Sequence, residues 1–532
     1  MAHFYKVMAL AVLLSPVLLN AQERITAQPV SPQSVPALKN IFKKYAFFEL
    51  NKQALDQYVK KAAAQGEINL ELDLPGYMSF PINMHQHDIM STDYKLAVGS
   101  PQGRQEFSKP TCMTYAGVLT GQGNSDVRLT ITNDLIYGIL SGNNKSYFIE
   151  PVRYLSNQAK ENLYVVYETT DVIPDNNNSC GISEVMTRVN TLDVSNARVE
   201  GFATGTCKQI ELAIASDDSM FFRYRTVADV QTHNISVANI MAYFYGNTQL
   251  GSYYVEFTIK GQYVSTAAAS NALSPVTTTQ SADVLLANFR TWGNAGNFGF
   301  TYDIGVYWTT KNIYATSSGV DNYGVIGLAT ISGACGLGKY QILEDFSSNG
   351  LALALMAAHE TGHNLSAQHD ASGALYIMAP AINTSNTAFS ATSITSMTSF
   401  VTNASCFSAC TNTVPTAQYT ASAPAICAGS NVAFTNYSSG QVTGISWAFQ
   451  DGTPATSTAE APTVTFSTPG LKTVTLTATN ANGNNSITKS IFVGSSLTGA
   501  GCRVATAGNG EDVGLSSFSL QNISNTIGIV YI

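Results

Sequence analysis

The stretch His359-Glu360-Thr361-Gly362-His363-Asn364-Leu365-Ser366-Ala367-Gln368-His369-Asp370 decides how this chain is read. It holds three of the chain's seven histidines. His359 and His363 are four apart, so on a helix they project from one face, one turn from each other. His369 follows six residues later, past the point where the helix should stop. Three neutral imidazoles with one open position are the donor set of a catalytic zinc ion. Glu360, beside the first imidazole, is placed to take a proton from the attacking water. The preceding run Leu351-Ala352-Leu353-Ala354-Leu355-Met356-Ala357-Ala358 is a strong helix former and apolar enough to be buried. A buried helix does not carry three histidines and a glutamate without partners, because unpaired buried polar groups are costly.

The spacing of the third histidine is that of the extended metzincin motif, and Met378, in Tyr376-Ile377-Met378-Ala379-Pro380, stands where metzincins carry their Met-turn. With Asp370 directly after His369, the wording resembles the reprolysin (adamalysin) branch of that group. The likeness extends over roughly 205–412. Lys208 to Ala215 followed by Ser219-Met220-Phe221 is similar to the family's first strand and turn. Gly327-Leu328-Ala329 with Gly333-Ala334-Cys335 is similar to its edge strand and the cysteine after it. Phe389-Ser390 and Ser405-Cys406 are similar to its closing segment. The resemblance implies zinc on His359, His363 and His369, Glu360 as general base, and Met378 as a packing floor under the ligands. It also implies that Gly327, Leu328 and Ala329 hold substrate backbone by strand addition, and that Cys335 pairs with Cys406. One position departs from the pattern. The family has Gly where this chain has Ser366, and a positive φ at a non-Gly residue costs roughly 1 kcal/mol.

Reprolysins often bind calcium through a first-strand Glu, a helix Asp and residues near the closing cysteine. Here the resemblance points to Glu211, Asp283 and the Cys406 carbonyl, with Ala409 standing where the family has Asn. Cys207 lies four residues before Glu211 and Cys410 four after Cys406. A Cys207–Cys410 disulfide would therefore join the same two segments, and calcium or a disulfide staple both remain open readings.

The 532 residues suggest three or four domains. They are 45% hydrophobic but only 12% charged, against about 25% in an average soluble protein. A net charge of −8 without basic clusters argues against a nucleic-acid partner. Lys6, the apolar run Val7–Leu19 and Ala21 read as a signal peptide over 1–21 with a cut after Ala21. That run is too short to span a membrane, so a secreted chain is expected. Eight cysteines fit export. Full pairing would allow 105 connectivities. Cys427 and Cys502 bracket a further domain, which leaves Cys112 and Cys180.

Residues 22–204 carry a helix-like segment, Leu50 to Ala64, and strand patterns such as Val127–Thr132 and Tyr147–Pro151. Thr111-Cys112-Met113-Thr114-Tyr115-Ala116-Gly117 and Phe148-Ile149-Glu150-Pro151 resemble reprolysin propeptide segments, implying a prodomain. Cys180-Gly181-Ile182 resembles the family's cysteine switch, in which a thiolate takes the fourth zinc position. A disulfide with Cys112 is the competing reading. Cleavage is expected between Gly181 and Cys207, with Arg188 and Arg198 as candidates.

Within 205–412 the pattern is α/β: strand Ile210–Ala215, helix Val227–Tyr245, strand Tyr253–Lys260, helix Ser281–Thr291, then the edge strand and the histidine helix. Residues 413–495 turn to Thr, Ser, Pro and Ala. Trp447-Ala448-Phe449-Gln450-Asp451-Gly452 with Pro469-Gly470 and the run to Asn480 resembles a PKD-type β-sandwich, with Gln450 where Gly is usual and Trp447 as core. Residues 496–532 read as the start of a further β segment. His85 and His87, two apart in a polar stretch, read as solvated. The chain is thus expected to be multidomain: a β-rich prodomain, an α/β metzincin catalytic domain and an all-β PKD-like sandwich. Its expected activity is that of a secreted zinc endopeptidase acting on proteins or peptides. The alternative is a non-catalytic secreted adhesion protein that keeps the protease fold. A third reading makes a distant Glu, not His369, the third ligand.

Overall fold

The computed structural model describes residues 23–494 apart from 181–205 and shorter loop stretches. The signal peptide, Arg188, Arg198, Cys502 and the 496–532 segment lie outside the described residues. Three units follow one another: a β-rich N-terminal unit, a central α/β unit and a C-terminal β-sandwich.

The N-terminal unit is built on a ten-stranded sheet over Glu23–Glu168 with one helix, α1 (Lys52–Ala63), capped by the Asn51 side chain. Adjacent residues of its strands face opposite sides of the sheet. Phe48, Ile149 and Val166 join α1 residues Leu55 and Val59 in the unit's own core. Their neighbours Phe47, Phe148 and Val165 face the other way, into a core shared with the central unit. Burial of both faces explains why strands such as Leu163–Glu168 are apolar at nearly every position. His85 lies on strand Met78–Gln86 of this sheet and His87 just beyond it. Both are half-buried, which corrects the reading of a solvated loop.

The central sheet runs in the order Ser179–Cys180, Val325–Ala329, Tyr340–Glu344, Ile304–Thr309, Thr206–Ser216, Tyr253–Ser265, Met90–Ser100 and Gly103–Phe107. The four strands from Tyr340–Glu344 to Tyr253–Ser265 are parallel, and Val325–Ala329 is antiparallel to its neighbour. Helices α2 (Asp218–Tyr224), α3 (Val227–Gly246), α4 (Ala282–Asn294), α5 (Gly350–Asn364) and α6 (Ala391–Asn403) complete the unit. Strands Thr206–Ser216, Tyr253–Ser265 and Val325–Ala329 and helices α3, α4 and α5 are the elements the sequence predicts, with shifted ends, whereas strands Ile304–Thr309 and Tyr340–Glu344 and helices α2 and α6 were not predicted. What it did not predict is that both ends of this sheet come from the N-terminal unit. The hairpin 90–107 extends one end and Ser179–Cys180 the other.

The strands from Tyr419 to Gly494 form two sheets packed around Trp447, which is 1% exposed and donates its indole N–H to Ala459 O at 2.9 Å. Gln450 is accommodated because the positive φ, +55°, falls on Asp451, while the Gln450 side chain accepts from Thr473 N at 3.0 Å and Thr473 Oγ1 at 2.9 Å.

Disulfides join Cys207 to Cys410 and Cys335 to Cys406. Cys427 is also disulfide-bonded. Cys112 and Cys180 are thiols, so they do not pair with each other.

A chain beginning at residue 206 would expose the shared core along α3 and α5 and leave the Tyr253–Ser265 edge unpaired. Its soluble, folded yield is expected to fall severalfold and to recover when residues 22–182 are co-expressed. Equal yields by circular dichroism and gel filtration would contradict this.

Candidate metal centre

All fifteen residues of α5 are buried. The helix begins at the Asn349 cap, whose side chain accepts from Ala352 N at 2.9 Å. It ends in a tight reversal at Ser366, where φ is +84°. Ala367 N donates to Gly362 O at 2.8 Å and Ser366 N to His363 O at 2.9 Å, so the last turn is closed by backbone. The conformation inferred for the missing Gly is therefore present on a serine. Ser332 Oγ donates to its hydroxyl at 3.0 Å. This reversal brings His369 back beside the helix.

The three imidazoles meet. His359 Nε2 lies 3.1 Å from His363 Nε2 and 3.2 Å from His369 Nε2. His359 Nδ1 is 2.7 Å from Ile377 O, and His363 Nδ1 is 2.8 Å from Ala367 O. A carbonyl only accepts, so those Nδ1 atoms carry the protons and each Nε2 points a lone pair at the centre. Burial pushes His359 down to about 3 and His369 to about 4, with His363 further below its ordinary value, so all three stay neutral. Two facing lone pairs at 3.1 Å with no proton between them repel unless a cation sits between. Ligands about 2.0–2.1 Å from a tetrahedral zinc would stand roughly 3.3 Å apart. The residues therefore fit zinc.

Cys180 completes a four-donor group with the three histidines, all ligand atoms within 4.8 Å of one another. Its Sγ is 3.7 Å from His363 Nε2. The Ser179–Cys180 strand runs parallel to Val325 and Gly327, and Cys180 N donates to Pro380 O at 3.0 Å. Thus this short strand crosses from the edge strand to the turn that holds Met378. Glu360 is 1% exposed. Burial pushes its carboxyl up to about 8, and a hydrogen bond with Cys180 pulls it back. A Cβ on Gly327 would come within 2.5 Å of Glu360 Oε1, so only glycine lets the edge strand lie this close to the carboxylate. Leu328 and Ala329 continue that strand. Met378 is fully buried with its sulfur under Gly362, where a Cβ would be 2.6 Å from Sδ. Asp370 accepts from Ser390 Oγ at 2.6 Å, and its N donates to Met378 O at 2.8 Å, tying the third histidine to this turn.

The calcium constellation looks different from the expectation. The Glu211 carboxylate faces the Lys260 ammonium at 3.3 Å. Asp283 is exposed in the first turn of α4. The carboxylate beside the Cys335–Cys406 disulfide is that of Asp303, which also accepts from Glu211 N at 2.9 Å. Asp303, Gly362 and Ser332 were not singled out from sequence. Only Gly362 carried a local signal, lying between the two helical histidines.

A family model for metallopeptidase family M12 matches residues 206–390, and one for the PKD domain matches 416–493. Residues 206–390 are thus similar to an M12 metallopeptidase domain. The chain is 21% identical over 316 residues to the zinc metalloproteinase-disintegrin-like atrase-A of Naja atra, covering 57% of this chain and 48% of that protein. It is 23% identical over 359 residues to zinc metalloproteinase-disintegrin-like BmMP of Bungarus multicinctus, covering 64% and 52%. The chain thus spans about half the length of these curated relatives. The crystal structure of metalloproteinase-II from Bacteroides fragilis aligns with 12% identity and a TM-score of 0.37, over 66% of this chain and 96% of that one.

Ser366 tests the metallopeptidase domain's helix reversal. Ser366→Gly should hold metal normally and gain up to about 1 kcal/mol. Ser366→Val places a β-branched residue at φ +84°, and should lose about 1–2 kcal/mol together with metal affinity. Thermal unfolding beside metal content would read both, and equal behaviour of the two variants would refute the strain argument.

Proposed function

We propose that the chain is an exported zinc endopeptidase made as a zymogen, with residues 22–204 as prodomain, 205–412 as protease and 413–495 as a PKD spacer. The observation that carries this is the convergence of Cys180, His359, His363 and His369 on one point, with Glu360 alongside. Zinc held by the three Nε2 atoms would supply Lewis acidity to a scissile carbonyl and to water.

The chain's own residues do the rest. Gly327, Leu328 and Ala329 pair with the substrate backbone and hold it extended past the histidines. Glu360 takes the proton of the attacking water on a carboxylate oxygen as the water oxygen bonds to the carbonyl carbon, then passes it to the leaving amine as the C–N bond breaks. Ile377 O and Ala367 O keep the two helical imidazoles in the tautomer that faces the centre. In the uncut chain the Cys180 thiol fills the fourth donor position, and its strand occupies the edge that substrate would use. Both block hydrolysis. Convergence of His369 with the helical pair supports it, rather than a distant Glu, as third ligand. The Cys207–Cys410 disulfide serves as the staple between the first strand and the closing segment, and the Lys260 ammonium balances the Glu211 carboxylate, in place of calcium. Export is supported by the disulfides, and no helix among the described residues is long and apolar enough to cross a membrane.

In the processed protein, Glu360→Ala should keep one zinc per chain while cleavage of a denatured protein falls by roughly 10²–10⁴ or more. Cys180→Ser should raise the activity of the uncut chain. Zinc without hydrolysis in the processed wild type would instead favour a binding module. Added calcium should leave the thermal midpoint of the zinc-loaded chain unmoved, and a rise of several degrees would restore the ion.

A further inference from the structure

Where the N-terminal unit meets the start of α5, a carboxylate is fully buried. Glu150, two residues after Phe148 on the same face of its strand, is 0% exposed. Its Oε2 accepts from Gly350 N at 3.0 Å, and its Oε1 accepts from Tyr167 OH at 2.8 Å and Asn349 Nδ2 at 3.3 Å. Gly350 is the first residue of the histidine helix. Its amide is one of those a helix cannot satisfy internally, and an anion there is favoured by the helix dipole. The start of α5 is shaped for this contact, because a Cβ on Gly350 would lie 1.7 Å from Tyr137 Oη of the N-terminal unit. Elsewhere on this face Gln231 Nε2 donates to Tyr94 OH at 2.8 Å and Asn239 Nδ2 to Leu129 O at 3.3 Å. None of these contacts involves residues 181–205, where cleavage is expected.

We propose that residues 23–180 are a lasting partner of the metallopeptidase domain, staying docked on α3, α5 and the Tyr253–Ser265 edge after the chain is cut, with Glu150 as the latch on the start of α5. The proposal rests on the zymogen reading above. Cutting between 181 and 206 breaks none of the shared core, the sheet pairing or the Glu150 bonds. The cut product is therefore a two-chain complex in which Ser179–Cys180 is no longer tied to residue 206, and substrate gains the edge strand when that short strand leaves it while the shared core stays paired.

The latch also sets a direction with pH. The ionisable groups that act on or feel Glu150 are Tyr137 and Tyr167 on its own sheet, and Tyr137 in turn feels Asp345 across the interface, which is held by Tyr224 OH at 2.8 Å and lies 3.6 Å from Arg223. Among the described residues no cation pairs with Glu150. Burial pushes its carboxyl up to about 8, against the pull of Tyr167 and Gly350 N. The docked state therefore binds more protons than the separated state between the ordinary carboxylate range and about 8, so docking weakens as pH rises through that window and levels off above it.

The test uses the full chain carrying Glu360→Ala, to prevent self-cleavage, with a recognition sequence for a site-specific protease inserted between 183 and 204. After cutting, the two pieces should co-elute at pH 6, with the dissociation constant rising by up to about tenfold per pH unit toward pH 8. Glu150→Gln, which keeps an acceptor for Gly350 N, should stay docked and lose most of that slope. Should that variant fail to fold, hydrogen exchange in the cut wild-type pieces serves instead. The amides at the start of α5 should be protected in the complex and lose protection when the N-terminal piece is removed. Separation at pH 6, an unchanged slope in Glu150→Gln, or protection unaffected by removal would each overturn the proposal. Because docking is read without activity, the two readings separate. Pieces of the Glu360→Ala chain that part at pH 6, while the freed domain of a cut chain retaining Glu360 hydrolyses protein, would remove the latch alone. Pieces that stay together at pH 6, while the cut chain retaining Glu360 never hydrolyses protein, would remove the protease reading alone.

Discussion

The structure turns on the complete burial of α5, a helix that carries two histidines and a glutamate on an otherwise apolar run. Burying polar groups is costly unless each finds a partner, and here the partners come from five separate segments. The turn at 377–380 and the reversal at 366–367 hold the Nδ1 atoms. Gln341, on the adjacent strand, faces Thr361 Oγ1 at 3.3 Å. Glu150 holds the first amide, and Cys180 meets Glu360 and His363. The three Nε2 atoms face one another at the centre, a donor set that suits a cation.

That constraint explains the arrangement of the N-terminal unit. Its sheet has a private face on α1 and a shared face on α3 and α5, so adjacent residues in one strand serve different cores. The unit reaches both ends of the central sheet, where one addition, Ser179–Cys180, lies on the edge strand of the candidate centre. Placing Cys180 beside the three histidines, pairing with the edge strand and supporting the histidine helix are thus consequences of one docking geometry.

Much of this was legible in the residues. The four- and six-residue histidine spacing, the methionine nine residues after the last histidine and the apolar run before the first picked out residues that the structure brings together. The reversal at Ser366 followed from the resemblance, in which Gly holds that position. The pairings Cys207–Cys410 and Cys335–Cys406 were readable from resemblance and position. Asp303 was not, because its partners are the first-strand amide of Glu211 and a disulfide distant in sequence. Glu150 was not, because a glutamate in an apolar strand carries no mark of the helix start 200 residues away that it satisfies.

The sequence by itself determined the candidate donor set and the kinds of fold, because donor spacing along a helix and hydrophobic period are local properties of the chain. Only the tertiary structure decided which side chains keep those donors in place. It decided that Lys260 rather than a second acid faces Glu211, that Cys180 lies against the histidines while Cys112 does not, and that the N-terminal unit shares a core with the domain it covers. Each is a contact between segments far apart in the chain, and the energy of such a contact is set by burial and geometry that no local pattern records.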